Sequence, residues 1–433
     1  MRCVLYSQVR ITHALLAAFA LLTPLACAPS DAPGTIVLHV ANWGGAKEGT
    51  EDDKRVEDIY REFERQNPDV RIQEESVPQD YVAKMALAYV AKAQPDIMML
   101  DLSSSALFIN CGVVSDVSPL MQADKSFRQE DFFPNVFAAA TRGDKVYAIP
   151  LDFTPMVMYY NKRMFDQAGV PYPKDDWDFA EFQALARKLT IKDKQYGFAF
   201  KNWPAGWVMW LWNAGGDHLK QDPPTATGYL DSRDCVKAVT FIKDLVAEGS
   251  APSISQAAAA GVDLFANGQA AMTISGHWDL MTYKNAPKDA NGKPKITWGD
   301  IGVVPLPHEV PQSQTVMYES GYAITSQCKH KHLAWKFIRY MTSHDVQAKY
   351  QFSGIAVSAR KDVAEERARA SELEASFLPI IPSCRPPYGS KVEGYEFVED
   401  QMTKAMDSVI QNSRDPYQAL HKAAQAIDRE FAK

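Results

Sequence analysis

The chain has 433 residues, 46% of them hydrophobic and 23% charged, enough apolar material for a large core and a length that favours two domains over one. A net charge of −7 and the absence of any Lys/Arg block argue against a nucleic-acid partner, since neutralising phosphates needs a basic face. The same balance disfavours a polyanionic ligand.

Residues 1–13 carry Arg2 and Arg10 and no acid, and the apolar run ALLAAFALLTPLA follows at 14–26. That run is too short to cross ~30 Å of hydrocarbon, so residues 1–26 read as a signal peptide and the mature chain as exported, to the periplasm or cell envelope. PLAC resembles a lipoprotein cleavage box that would lipidate Cys27 and leave residues 27–34 as a tether, although Pro24 and Leu25 depart from the usual Leu and small residue. Ordinary cleavage after ACA is the alternative. Cys111, Cys235, Cys328 and Cys384 match no metal-binding or CxxC spacing, their pairing stays open, and neither metal nor cofactor is expected.

The mature chain opens with GTIVLHVANWGG, an apolar strand ending in a glycine turn. Val56, Ile59, Tyr60 and Phe63 then fall at i, i+3, i+4 and i+7, an amphipathic helix stopped by Asn67-Pro68. VRIQEESV, a helix around YVAKMALAYVAKA and the short run PDIMMLD complete a strand–helix alternation that implies a parallel sheet covered on both faces. Ligands sit beyond the carboxyl ends of such strands, which singles out Asn42-Trp43 and Asp101 to Ser103. Two extended pieces, VYAIPLDFTPMVMYY, carry Pro150 and Pro155 between them, a crossing point. Asp178 and Glu181 then form a capping-box pair with Trp177 and Phe182 at the staple positions, which gives Trp177 a structural role.

KNWPAGWVMWLWNAGGDH gathers Trp203, Trp207, Trp210 and Trp212 into one short helix, with Pro204 in its first turn and Gly215-Gly216 at its exit. The first three share a stripe at i, i+4 and i+7, while Trp212 points elsewhere and reads as core. Flat aromatics pair with the C–H faces of sugar rings, and short polar side chains bind their hydroxyl edges. Trp43 and Trp278 add indoles past strand ends, and Asn42, Asp101 and Asp152 add the polar groups. These features point to a carbohydrate site.

On these residues the chain resembles an extracellular solute-binding protein of the sugar-binding type (family 1), which serves ABC importers. The segment YAIPLDFTPMVMYYNKRMFDQAGVPYPKDDWDFAEFQALARKLT carries most of the likeness, with Asp176 where Thr or Ser is usual. LFANGQAAMTISGHWDL, ESGYAITSQCKHKHLAWKFIRYMTS and DPYQALHKAAQAID are similar in the same order. The resemblance implies an α/β, two-lobed, periplasmic-binding-protein-like (type II) fold with a hinge and an interlobe cleft. Residues 35–150 and 290–342 are expected in the N-terminal lobe, 151–154 as hinge strand, and 155–288 and 343–433 in the C-terminal lobe. It places ligand contacts at Asn42, Trp43, Asp101, Ser103, Asp152, Thr154, Trp203, Trp207, Trp278, Ser320, Gly321 and Tyr388, with Arg385 either a further contact or a surface arginine. The function implied is capture of an oligosaccharide by a monomer without catalysis, and delivery to membrane permease subunits. Two alternatives stand beside it. One is a binder of glycerol phosphodiesters or another small polar solute; the other is a secreted glycoside hydrolase using Asp101 and Asp152 as its carboxylate pair.

Overall fold

A computed structural model describes residues 34–43, 51–350 and 356–433, so the leader and the Cys27 tether lie outside the described residues. Eleven strands matter for the site: β1 Ile36–Asn42, β2 Val70–Ser76, β3 Ile97–Asp101, β4 Ile149–Pro155, β5 Val157–Asn161, β6 Tyr196–Ala199, β7 Ala270–Ser275, β8 Ile301–Val304, β9 Thr315–Ile324, β10 Val357–Ser358 and β11 Cys384–Arg385. A seven-stranded sheet runs β10-β4-β9-β3-β1-β2, with β11 pairing β9. A four-stranded sheet runs β8-β5-β7-β6.

The β1, β2 and β3 pairings are parallel, as expected of strands separated by helices, and β9 joins β3 antiparallel. The helix Glu51–Gln66 buries Ile59, Tyr60 and Phe63 against the first sheet, and Asn67 ties its end by donating Nδ2 to the Phe63 carbonyl at 2.7 Å. Asp178 and Glu181 close the capping box at 2.8 and 3.1 Å, and Trp177 meets Phe182 edge-on at 5.6 Å. Both local signals act as read.

The two sheets are the centres of two lobes, and the chain passes between them at Met156. Met156 N–H donates to the Val316 carbonyl at 3.0 Å, and Thr315 Oγ1 returns a bond to the Met156 carbonyl. Thus β4–β5 and the start of β9 are stitched side by side at the crossing. One core cluster packs Met158, Phe198, Met272, Trp207 and Trp210 on one face of the second sheet. A second runs from Leu38, Phe63, Tyr322 and Phe337 across to Tyr159, Phe265 and Tyr283 on its other face.

Two segments depart from the division expected from chain order. β8 pairs antiparallel with β5, so residues 301–304 join the second sheet and not the first. β10 pairs with β4, and Val363, Phe377 and Ile381 are buried, the last two within the first-sheet cluster, so residues 357–381 do not lie wholly with the second lobe. Strand pairing decides both: β5 and β4 each have an edge to satisfy, and chain order does not say which later strand fills it.

Among the described residues no helix is long and apolar enough to cross a membrane, and no group of His, Cys, Asp or Glu could hold a metal ion. Cys235, Cys328 and Cys384 are buried free thiols, and Cys111 is disulfide-bonded.

Candidate functional site

At the carboxyl end of β3, Asp101 caps a short 3-10 turn, Leu102–Ser104, accepting from the Ser103 amide at 2.8 Å and from the Ser103 hydroxyl. Across the ladder Ser320 of β9 faces Asp101, and on its other side it faces Asp152 of β4, to which its hydroxyl donates. Strand pairing therefore sets Asp101, Ser103, Ser320 and Asp152 in one polar row. Burial raises the Asp152 carboxyl to about 6 against the opposing pull of Ser320, and burial also raises Asp101 against its bonds from Ser103. Gly321 follows at a β-bulge, where a Cβ would come 2.8 Å from the Ile149 carbonyl oxygen. Its role is to let β9 and β4 approach.

Three aromatic side chains stand beside this row. Trp203 occupies the N-cap of the Pro204–Asn213 helix in extended backbone, so its indole leaves the helix axis. Trp278 follows β7 through Gly276-His277. Tyr318 lies two residues before Ser320 on β9, hence on the same face of the strand. Trp203 and Tyr318 stack with centroids 6.1 Å apart and 16° between planes; Trp278 lies 6.2 Å from Trp203 and 6.1 Å from Tyr318. All three are half-buried, and Trp203 Nε1 has no hydrogen-bond partner among the described residues.

Gly276 sets the Trp278 ring. A Cβ there would lie 2.4 Å from Thr154 Cγ2 and 2.7 Å from two carbons of the Trp278 ring. Thr154 is 4% exposed and so forms the wall behind this turn instead of facing a guest. Gly276→Ala is expected to push the ring off its seat and cost about 1–3 kcal/mol of stability by overpacking. Urea melts and the Trp278 contribution to fluorescence, read against a Trp278→Phe background, check this.

Other expected residues are placed apart from this cluster. Asn42 is buried at the end of β1 and donates Nδ2 to Glu74 Oε1 at 2.6 Å, and its own Oδ1 has no partner among the described residues. Trp43 is half-buried and meets Tyr81 edge-on at 5.2 Å, on the first lobe. Trp207 is a correction. It is fully sealed within the second-lobe core, edge-on to His218 at 5.9 Å, because the Pro204–Asn213 helix is buried on every side. Tyr388 is another. Its ring stacks on His218 at 4.8 Å and its hydroxyl binds Asp217, with Arg385 Nη2 donating to that hydroxyl at 2.7 Å. Tyr388 and Arg385 thus knit the second lobe together, and Arg385 lies with its Cζ 4.2 Å from the Trp212 ring.

Three residues went unread in the sequence. Tyr318 was within reach, since alternation from Ser320 puts it on the same face. Glu319 and Glu399 were not, because nothing local marks either one. Glu399 borders a small pocket with Tyr318, Trp212 and Tyr395.

The model of the bacterial extracellular solute-binding protein family matches residues 58–375. A binding protein of Brucella abortus is 24% identical over 422 residues, covering 95% of this chain and 97% of that one. A multiple sugar-binding protein of Streptococcus mutans is 24% identical over 341 residues, covering 73% of this chain and 74% of its own. An ABC substrate-binding protein of Listeria monocytogenes, solved in complex with cycloalternan, superposes with a TM-score of 0.76 at 23% identity, covering 92% of this chain and 99% of that one. That likeness fixes the architecture of two lobes about a hinge. With a family match over most of its length and the lobes and crossing strands just described, the chain belongs to the bacterial extracellular solute-binding proteins.

Proposed function

We propose that this chain binds a carbohydrate, most simply an oligosaccharide, in the cleft beside β9 and hands it, without chemical change, to the permease subunits of an ABC importer. The observation that carries the reading is the half-buried group of Trp203, Trp278 and Tyr318 set beside the polar row of Asp101, Ser103, Ser320 and Asp152. Rings offer flat faces to sugar C–H surfaces, and the row offers short acceptors and hydroxyls to the sugar edge. The Listeria neighbour was solved with an oligosaccharide, and the Streptococcus relative is named for sugars, which supports the same class.

Ring contacts come from the second lobe and from β9, polar contacts mainly from the first, so a guest would bridge the lobes and favour closure, the hinge transition general to periplasmic binding proteins. A dissociation constant near ~1 μM corresponds to about −8 kcal/mol, within reach of two or three stacked rings and several paired hydroxyls net of closure costs. Export by the N-terminal leader and a monomeric state complete the proposal. A glycerol phosphodiester fits this lining poorly, since its phosphate would meet Asp101 and Asp152 where an anion site presents Arg, Lys or a helix N-terminus.

A thermal-shift screen of mono-, di- and trisaccharides beside glycerol-3-phosphate tests this reading. A saccharide at 100 times its dissociation constant is expected to stabilise by ~2.7 kcal/mol. Stabilisation by glycerol-3-phosphate alone, or turnover of a bound sugar, overturns it.

A further inference from the structure

Beyond the aromatic group lies a pocket of about 10 Å³, the space of one water-sized group, whose lining includes Pro204, Val208, Trp212, Tyr318, Tyr395 and Glu399. Rings and aliphatic groups make its walls, and Glu399 is the one carboxylate among its lining residues. Among the described residues no hydrogen-bond donor or cation reaches Glu399. Burial, then the charge of Glu396, then that of Asp101, hold it at about 7. Glu319, between Tyr318 and Ser320, points to the opposite face of β9: it is 3% exposed, neither of its oxygens has a partner among the described residues, and burial with Asp101 raises it well above the usual range. Burial raises Tyr318 too, and the charges of Glu399, Asp101 and Glu319 add to it in that order. Arg385 is the nearby cation, and its Nη2 lies 3.4 Å from Asp217, to which it is paired.

Carboxyls gathered beside half-exposed rings, with no cation to pair them, are a poor match for a guest of neutral hydroxyls alone. Each must either stay protonated or repel its neighbours. A protonated amine satisfies both halves of the lining: ring faces attract it, and the carboxylates become its counter-ions. We infer that the saccharide proposed above carries a protonated amine, so that the guest is an amino-sugar-containing saccharide, with Glu399 and Asp101 as its counter-ions and Trp203 and Tyr318 as ring faces beside it. This inference rests on the saccharide reading.

The titration has a definite sign. Below its folded value of about 7 Glu399 is protonated and offers the amine a neutral acid; above it the carboxylate is free to pair. Glu396 and Asp101 are the other acids whose charge acts on Glu399, while Tyr318 and Tyr395 are pushed upward by burial and stay neutral. Amine binding therefore strengthens from pH 5 to pH 7.5 and releases a proton.

Calorimetric titration of the full chain with glucosamine, galactosamine and the glucosamine trimer, each against its hydroxyl and N-acetyl counterpart, decides the matter. The aminated member of at least one series is expected to bind ~10-fold more tightly at pH 7.5. That preference shrinks at pH 5 and disappears in Glu399→Gln; if the variant does not fold, the pH profile of the wild type carries the test alone. Equal binding of the hydroxyl counterparts, a preference that survives Glu399→Gln, or no binding of any aminated sugar overturns the inference. Neutral saccharides that bind without amine preference leave the saccharide reading standing, whereas failure of every saccharide removes both.

Discussion

Trp278→Ala and Trp203→Ala are expected to weaken saccharide binding by about 10- to 100-fold, the ~1.4–3 kcal/mol that a buried aromatic anchor carries at an interface. Neither change should unfold the protein. Both side chains are half-buried, and Trp203 occupies an N-cap without making a side-chain capping bond, so its removal forfeits no helix cap. The two rings also meet each other and Tyr318, which makes them one unit. Their effects should therefore be less than additive, with the double variant losing less than the sum of the singles. Titration calorimetry on variants whose urea melts match the parent reads the result. An unchanged isotherm for Trp278→Ala would take that ring out of the site and leave Tyr318 and Trp203 without a third wall.

How much of this was legible depends on which physical signal marks each residue. Asp101, Ser103 and Asp152 were singled out because strand ends of an α/β sheet are where polar side chains escape the core, and Ser320 through the family resemblance; pairing across β3, β9 and β4 sets them in a row. Gly321 and Thr154, expected as ligand contacts, shape the backbone approach of β9 to β4 and the wall behind the Gly276 turn. Trp207 was misread because a stripe at i, i+4, i+7 has meaning only on a helix with a polar side. From Ala205 to Asn213 this helix is buried throughout, so periodicity selects nothing. Trp203 was read as part of that stripe, yet its direction is set by extended backbone one residue before the helix starts. Glu399 lies on the Tyr395–Ile410 helix and reaches Tyr318 only through the docking of that helix, a contact no local pattern encodes. The placement of β8 failed likewise, because an edge strand's partner is a tertiary choice.

The same tryptophan helix yields the opposite expectation for stability. Trp210 is fully buried, with its ring 5.3 Å from Phe179, 5.2 Å from Phe182, 5.8 Å from Phe198 and 5.5 Å from Phe241. Trp210→Ala is expected to cost about 3–5 kcal/mol, from lost burial plus the cavity that four surrounding phenyl rings cannot close. Trp210→Phe should cost far less than this truncation. It keeps most of the ring packing and removes an indole N–H that has no hydrogen-bond partner among the described residues, an unmet donor worth about 1–3 kcal/mol. The pair of variants separates packing from polarity at one position. Urea unfolding followed by far-ultraviolet dichroism, with the slope checked against the parent, measures both. If Trp210→Phe proves as damaging as Trp210→Ala, the indole nitrogen has a partner after all and the helix is held by that bond as well as by its rings. Should Trp210→Ala instead leave stability unchanged, the second-lobe core would not be organised around this residue. The contrast between a structural Trp210 and a Trp203 proposed to face the ligand would then fail with it.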